Sequence, residues 1–232
     1  MSQSASSLPP SGPPSVEPVP WESRDRLGIV NAWVENLKLF VLNPQDAFRR
    51  AAGGKKGDFL SPLLWAVILA TLVSVVSWLW SFVFTAPMLP MMGDERFAAP
   101  LAMMMGGGFF QVIMAPILAA IGLFIWTAIS HLALMLVGGL ERSSWGFEGT
   151  LRSVGYAYTA QLANVVPFVG PLIALVWVVV LLVVGYQSVH QTSQGRAIAA
   201  ALLPLVFCCV CVGIGIAAIV GGIAGMAGLA NQ

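Results

Sequence analysis

The side chains best suited to chemistry are four polar residues within apolar stretches of the chain: His131, Tyr158, Gln161 and Asn164. The last three follow at three-residue intervals, so they occupy overlapping faces of a helix. His131 lies about 10 Å from the end of its own apolar segment, near the depth of Tyr158. Ionisable groups inside a membrane are candidates for proton or ligand sites. The alternative is that this cluster only links helices, by hydrogen bonds of about 0.6 kcal/mol each.

Other reactive residue types do not occur at catalytic or metal-binding spacings. His190 follows an apolar segment without a nucleophile or carboxylate at a motif spacing, so it is interpreted as a solvated loop residue. Cys208, Cys209 and Cys211 lie in an apolar run and are interpreted as small apolar side chains. No GxSxG, HExxH or Walker-type motif is present. The sequence therefore predicts no enzymatic activity, no cofactor and no metal site.

Two spacings predict helix contacts rather than chemistry. Glu148 and Arg152 stand four residues apart and are expected to form an interfacial ion pair. Small residues recur every four positions near the end of the chain, which allows close approach of another helix. They are Gly213, Ala217, Gly221 and Gly225. This face could pack within the bundle or form a homodimer contact, and the spacing does not distinguish the two.

Composition determines the class of protein. Of the 232 residues, 58% are hydrophobic and only 9% are charged, whereas charged residues make up about 25% of a soluble domain. The net charge of +1 gives no basic field that would attract nucleic acid. We therefore predict an all-α integral membrane protein, a five-span helical bundle with N-terminal interfacial amphipathic helices, whose first partner is the lipid bilayer.

The N-terminal part divides into a tail and two short helices. Residues 1–22 are rich in Ser and Pro and are predicted to be disordered. Within residues 23–57, apolar side chains at helical spacing define one face of a first helix, namely Val30, Trp33, Val34, Leu37 and Val41. Asn43, Pro44 and Asp46 then provide the start signals of a second helix, which Gly53 ends.

Cations surround these two helices: Lys38, Arg49, Arg50, Lys55 and Lys56. Each is worth about 1 kcal/mol near an anionic leaflet. The pattern favours a helical pair lying along the cytoplasmic membrane surface, with a soluble platform that docks a protein partner as the alternative.

Residues 58–225 are predicted to form five membrane spans. The apolar segments cover about 59–84, 109–137, 151–166, 170–186 and 197–222. Residues 85–108 between the first two are predicted to be an external loop with a partly inserted segment, and residues 226–232 a short external C-terminus. Spans three and four form a hairpin, the third polar and buried, the fourth facing lipid.

Charge distribution orients this arrangement, because cytoplasmic loops carry an excess of Lys and Arg. With a cytoplasmic N-terminus and an external C-terminus, ten of the eleven basic residues lie inside, and only Arg96 lies outside. A re-entrant hairpin in place of spans three and four would leave that charge count unchanged. The expected location is a bacterial cytoplasmic membrane.

Three stretches resemble the Ypt/Rab-interacting-protein (Yip) domain family in its short bacterial form: LFVLNPQDAFRRA, GTLRSVGYAYTAQLANVVPFVG and WVVVLLVVGYQSVHQTSQGRAIAAALLP. They lie within residues 38–205. The resemblance implies a cytoplasmic N-terminus, five spans and a short C-terminus outside. Eukaryotic relatives are implied in vesicle traffic through Rab-type GTPases and in shaping membranes. Their acidic motif with Tyr and Pro before the first span is not found here, so binding of a small GTPase is not carried over.

The leading functional expectation is a non-enzymatic scaffold or membrane-organising protein, with further copies of itself or other membrane proteins as partners. The alternative is a small-solute or lipid transporter or channel that uses an intramembrane cavity around the polar cluster.

Overall fold

The computed structural model describes residues 17–93 and 95–230. Their α-helices are α1 (Arg24–Leu27), α2 (Ile29–Leu42), α3 (Pro44–Ala52), α4 (Leu60–Thr85), α5 (Glu95–Leu136), α6 (Gly146–Ala157), α7 (Gly170–His190) and α8 (Gln194–Ala230). Shorter 3₁₀ segments cover Pro20–Ser23, Ala86–Gly93 and Tyr158–Val165. The prediction of an all-helical protein is confirmed for the described residues.

Four of the helical stretches in these described ranges are long and apolar enough to cross a membrane: Leu60–Met88, Gly106–Leu136, Gly170–His190 and Gln194–Gly215. They correspond to the predicted spans one, two, four and five. The predicted third span is different, because it is divided into α6 and the following 3₁₀ segment and does not form a long apolar helix.

The composite of α6 and its 3₁₀ extension lies between the long helices and joins both ends of the bundle. At one end, Thr150 contacts His131 on α5 and His190 on α7. At the other end, the carbonyl of Val165 accepts a hydrogen bond of 2.9 Å from the indole of Trp80 on α4. We call the first end, where residues 137–145 and 191–193 connect the helices, the polar end, and the second the far end.

A 3₁₀ helix rises about 2.0 Å per residue against 1.5 Å in an α-helix. Tyr158–Val165 therefore stretches α6 to a combined length of about 34 Å, close to the ~30 Å of a hydrocarbon core. Every residue from Gly149 to Ala157 is buried, as predicted for the first arm of the hairpin. Its second arm, α7, is the more exposed of the two, with Val176 facing outward.

Residues 17–58 dock onto the polar end. Val19 and Trp21 are buried, so the predicted disordered tail extends too far; its residues 1–16 lie outside the described part of the chain. The indole of Trp21 donates to the carbonyl of Ser61 at 3.0 Å, and the backbone N–H of Trp21 donates to the Asn36 side chain at 3.3 Å. The bond to Ser61 therefore fixes this N-terminal segment to α4, and the bond to Asn36 holds Trp21 against α2 within the segment.

The start of α3 agrees with the sequence prediction. The side chain of Asn43 accepts a hydrogen bond from the backbone N–H of Asp46, Pro44 occupies the first turn, and the helix ends before Gly53. On α2, Ala32, Asn36 and Phe40 are buried, and within the predicted apolar stripe Trp33 and Leu37 pack against the core while Val30 and Val41 are exposed. The two helices thus form, and the predicted stripe of α2 is divided between the core and the outer surface.

The predicted external loop at 85–108 is wrong in its second half. A 3₁₀ segment ends at Gly93 and α5 begins at Glu95, so α5 already includes the three glycines before Phe109. A Cβ on Gly108 would lie 2.6 Å from Cδ1 of Trp78. These glycines therefore belong to a helix, and Gly108 lets that helix approach an aromatic ring of α4.

Candidate functional site

The most connected polar group of the described chain is Arg152 on α6, whose side chain is 0% exposed. Its guanidinium donates to the carboxylate of Glu22 at 2.6 Å and to the carbonyls of Ala51 at 3.2 Å and Lys55 at 2.5 Å. The same group lies over the ring of Trp145, 4.9 Å from its centre. The predicted pair with Glu148 is present at 3.5 Å, but Glu22 is the closer partner.

Glu22 joins the N-terminal segment to this arginine. Its carboxylate also accepts a hydrogen bond of 2.7 Å from the hydroxyl of Tyr156. Burial raises the pKa of the Glu22 carboxyl, while the charge of Arg152 and the hydrogen bond from Tyr156 lower it; the net pKa lies above its ordinary value. The ion pair therefore only partly offsets the cost of removing this carboxylate from water.

A second row of polar contacts lies beside those of Arg152 and Glu22. Ser143 contacts Nδ1 of His190 at 2.7 Å, Nε2 of His190 contacts Thr150 at 3.1 Å, and Thr150 contacts Nδ1 of His131 at 2.8 Å. His190 is fully buried at the end of α7, so its interpretation as a solvated loop residue is wrong. The backbone N–H of Trp145 donates to Ser143 at 3.2 Å, which connects this row to the residues around Arg152.

The hydrogen bonds of this row from Ser143 to His131 can run in either direction, and every group keeps a partner in both. With the proton of His190 on Nδ1, His190 donates to Ser143 and accepts from Thr150, which in turn accepts from His131. With the proton on Nε2, every donor becomes an acceptor. Because the arrangement works with neutral rings, it links α5, α6 and α7 without placing a charge between them.

We expect Thr150→Val to destabilise the protein by about 1–3 kcal/mol, because the nitrogens of both histidines lose their shared partner. Thermal unfolding of the detergent-solubilised protein measures the loss. Thr71→Val is the matched control, since the hydroxyl of Thr71 bonds only to the carbonyl of Val67 in its own helix. Equal losses in the two variants would contradict a bridging role for Thr150.

The predicted polar cluster is divided in the structure. Tyr158, Gln161 and Asn164 line one cavity of about 350 Å³ together with apolar side chains such as Trp126 and Leu182. Their three-residue spacing matches the three residues per turn of the 3₁₀ segment, which aligns them in one row. Asn164 donates to Gln161 at 2.6 Å. His131 does not line this cavity and belongs to the row with Thr150.

Each residue of the predicted basic cluster is ion-paired, hydrogen-bonded or exposed. Lys38 pairs with Glu35 on α2, and Arg49 and Arg50 both pair with Asp46 on α3. Lys55 is exposed. Lys56 donates to the carbonyl of Ser144 at 2.9 Å. Burial raises the pKa of Asp46, but the hydrogen bonds and charges of Arg50 and Arg49 outweigh it, so the net pKa is below its ordinary value.

The small-residue face on α8 is not packed where its side chains are described. A Cβ on Gly213 would have no atom within 4 Å, and Ala217 is exposed. The side chains at positions 221 and 225, the other two members of the predicted face, lie outside the described set. The three cysteines nearby are exposed rather than buried among apolar neighbours.

Sequence reasoning missed Glu22, Thr150, Ser143 and Trp145. The signal that could have found them is a surplus of polar residues around a charge, since Arg152 within an apolar segment requires several acceptors. No local spacing identifies Glu22, because it lies 130 positions away from Arg152.

The family described as the Yip1 domain matches residues 38–216. No curated protein matches the chain, and no solved structure does.

Proposed function

The chain belongs to the Yip1 domain family, and from this premise we propose that it is a non-enzymatic scaffold that organises the membrane and its protein partners. The match extends the resemblance found in the sequence and, with four apolar helices long enough to cross a bilayer, identifies an integral membrane protein. The finer proposal concerns how its N-terminal segment acts at the membrane surface.

The proposed topology has five crossings, with the N-terminus in the cytoplasm and the C-terminus outside. The length of α6 with its 3₁₀ extension, about 34 Å, supports a full crossing for this segment. The contact between Val165 and Trp80 at the far end supports it further. The distribution of Lys and Arg supports the orientation.

The observation that carries the proposal is the outer surface of α2. Val30 is 73% exposed and Val41 is 43% exposed. These positions, with Val34 between them, lie on one stripe opposite the buried Ala32, Asn36 and Phe40. The hydrogen bonds of Trp21 and Glu22 fix the N-terminal segment to the bundle. The helix therefore presents an apolar stripe on its outer side. This is the side that an interfacial helix inserts into the headgroup region of a membrane.

We expect the double variant Val30→Asp and Val41→Asp to abolish the effect of the protein on membrane shape. The full-length protein is reconstituted into vesicles of fixed lipid composition, and vesicle diameter is measured by electron microscopy at increasing protein density. A helix wedged into one leaflet favours smaller vesicles, and carboxylates on its apolar stripe oppose insertion. A variant with Asn31→Asp and Gln45→Glu adds two charges at exposed polar positions and serves as the control.

If the wild-type protein and both variants gave vesicles of the same diameter, this role for α2 would be wrong. The exposed small-residue face at Gly213 supplies a second surface through which copies of the chain or other membrane proteins would associate.

The cavity beside Tyr158, Gln161 and Asn164 favours one alternative, a transporter or channel for a small solute or lipid. Flux through proteoliposomes that disappears with Asn164→Ala would support this alternative and contradict the scaffold. Because His131 does not line the cavity, His131→Ala should leave such a flux unchanged.

A further inference from the structure

A groove of about 1,420 Å³ runs between α3 on one side and α7 with the start of α8 on the other. It differs from the cavity of Tyr158 and from the outward stripe of α2. The groove opens at the surface of the described chain near the polar end. Its α3 wall carries Asn43, Gln45, Asp46, Arg49 and Arg50.

The wall formed by α7 changes character along its length. It is apolar at Val179, Val180, Val183 and Val184 and becomes polar at Gln187, Ser188 and Gln191. From Val180 to Gln187 the helix rises about 10 Å. An apolar floor that leads within this distance to amide and hydroxyl groups matches the change from acyl chain to headgroup in a phospholipid.

Packing of α3 on α7 fixes the two arginines beside the polar turn. Phe48 of α3 lies against Gly185, where a Cβ would be 3.0 Å from Cε1 of the ring. Arg49 and Arg50 follow Phe48 directly, and they turn away from the buried face of α3. Both arginines therefore line the groove near the level of Gly185, where its α7 wall changes from valine to polar side chains.

Charge in this region leaves room for one anion. Arg49 and Arg50 share Asp46, and Arg50 also pairs with Glu17 at 3.4 Å. Glu17 is in turn bound by Arg26 at 3.0 Å. Three guanidinium groups in this connected set thus share two carboxylates. The side chain of Arg49 is 72% exposed and accessible to a further acceptor.

The first turn of α8 adds to this attraction. Gln194 begins the helix and lines the groove. The free N–H groups and the positive end of the helix dipole at such a terminus favour a phosphate.

We propose that the groove between α3 and α7 binds one anionic phospholipid, with its phosphate on Arg49 and Arg50 and an acyl chain along Val179–Val184. The lipid would fill the space between the N-terminal segment and the bundle and connect them. This inference does not depend on the scaffold role, because it concerns a different surface and a different ligand.

The test titrates the full-length protein in mild detergent with dioctanoyl phosphatidylglycerol, dioctanoyl phosphatidylcholine or inorganic phosphate, and native mass spectrometry counts the bound molecules. We expect the glycerol lipid to bind about fivefold more tightly than the choline lipid, from the one uncompensated positive charge of the arginine set at the headgroup. Inorganic phosphate alone should not bind measurably, since it gains nothing from the valine floor. Equal binding of both lipids, or retention of phosphate alone, would overturn the proposal.

Two variant pairs locate the site. Arg49→Gln with Arg50→Gln should remove the preference for the anionic lipid, whereas Lys38→Gln with Arg142→Gln, which removes equal charge outside the groove, should retain it. Val180→Trp fills the groove without changing charge and should weaken binding at least tenfold, whereas Ile121→Trp, at an exposed aliphatic position of α5 outside the groove, should not. The tryptophan pair decides the question if the arginine variant does not fold. Equal effects within either pair would show general attraction to lipid and overturn a defined site.

Discussion

Arg152→Leu is expected to lower stability by about 3–5 kcal/mol, because it leaves the buried carboxylate of Glu22 without its cation and frees the carbonyls of Ala51 and Lys55. In a chain of this size, such a loss lowers the unfolding temperature by roughly 10 °C. Intrinsic fluorescence during heating in detergent measures it, since Trp21 is buried only while the N-terminal segment is docked.

Glu22→Gln is expected to be much milder. The amide oxygen still accepts from Tyr156, and Arg152 keeps two carbonyls, Glu148 and the ring of Trp145. The raised pKa of Glu22 indicates the same, because burying this charge costs more than its pairing returns. The double variant Arg152→Leu with Glu22→Gln should recover part of the stability lost in Arg152→Leu. No recovery, or a larger loss in Glu22→Gln than in Arg152→Leu, would show that the pair itself supplies the stability.

Gly155→Ala is the second substitution with a large expected effect. A Cβ at this position would lie 2.8 Å from the backbone oxygen of Pro62 and 3.1 Å from its carbonyl carbon. Backbone atoms cannot rotate away as a side chain can, so α6 and α4 would have to separate. We expect a loss of about 1–3 kcal/mol, and a greater loss for Gly155→Val, in the same unfolding measurement.

Gly122→Ala is the control for this glycine. It also lies within a helix, and a Cβ there would meet no atom within 4 Å. The better helix propensity of Ala, worth up to about 1 kcal/mol, makes this change neutral or slightly stabilising. If both alanine variants unfolded at the wild-type temperature, the close approach of α6 to Pro62 would not limit packing.

The sequence was informative wherever the signal is local. Apolar segments gave the positions of four long helices, the order Asn43, Pro44 and Asp46 gave the start of α3, and a four-residue spacing gave the contact of Arg152 with Glu148. Each of these follows from the period of a helix or from the chemistry of one turn.

The errors arose where distant segments decide the structure. Val19 and Trp21 lie in a Pro-rich stretch that looks unstructured, yet α2 and α4 offer them a buried site. His190 comes after an apolar segment, where the sequence suggests a loop. In the structure α7 extends to His190, and its ring forms a hydrogen bond with Thr150. Periodicity along one segment contains no information about which side chains another segment will supply.

Periodicity alone also does not distinguish an α-helix from a 3₁₀ helix after α6. Residues 158–165 have a spacing of polar side chains compatible with both forms, and only packing against α4 and α7 distinguishes them. Residues 151–166 were therefore expected to form one continuous span, whereas the structure divides them between α6 and the 3₁₀ segment. Its polar row and its cavity follow from the tighter helix.

The contact of Glu22 with Arg152 also sets an order of events during synthesis. The N-terminal segment leaves the ribosome first, but its anchoring cation lies 130 residues later in the chain. At 5–20 residues per second, about 7–26 s pass before the two can meet. During that interval the partners of Trp21, namely Asn36 and Ser61, are already synthesised, but the carboxylate of Glu22 has no cation, and α4 and α5 must be inserted first. The pairing of Glu22 with Arg152 is thus a late step of biogenesis, which requires that residues up to α6 have reached their places.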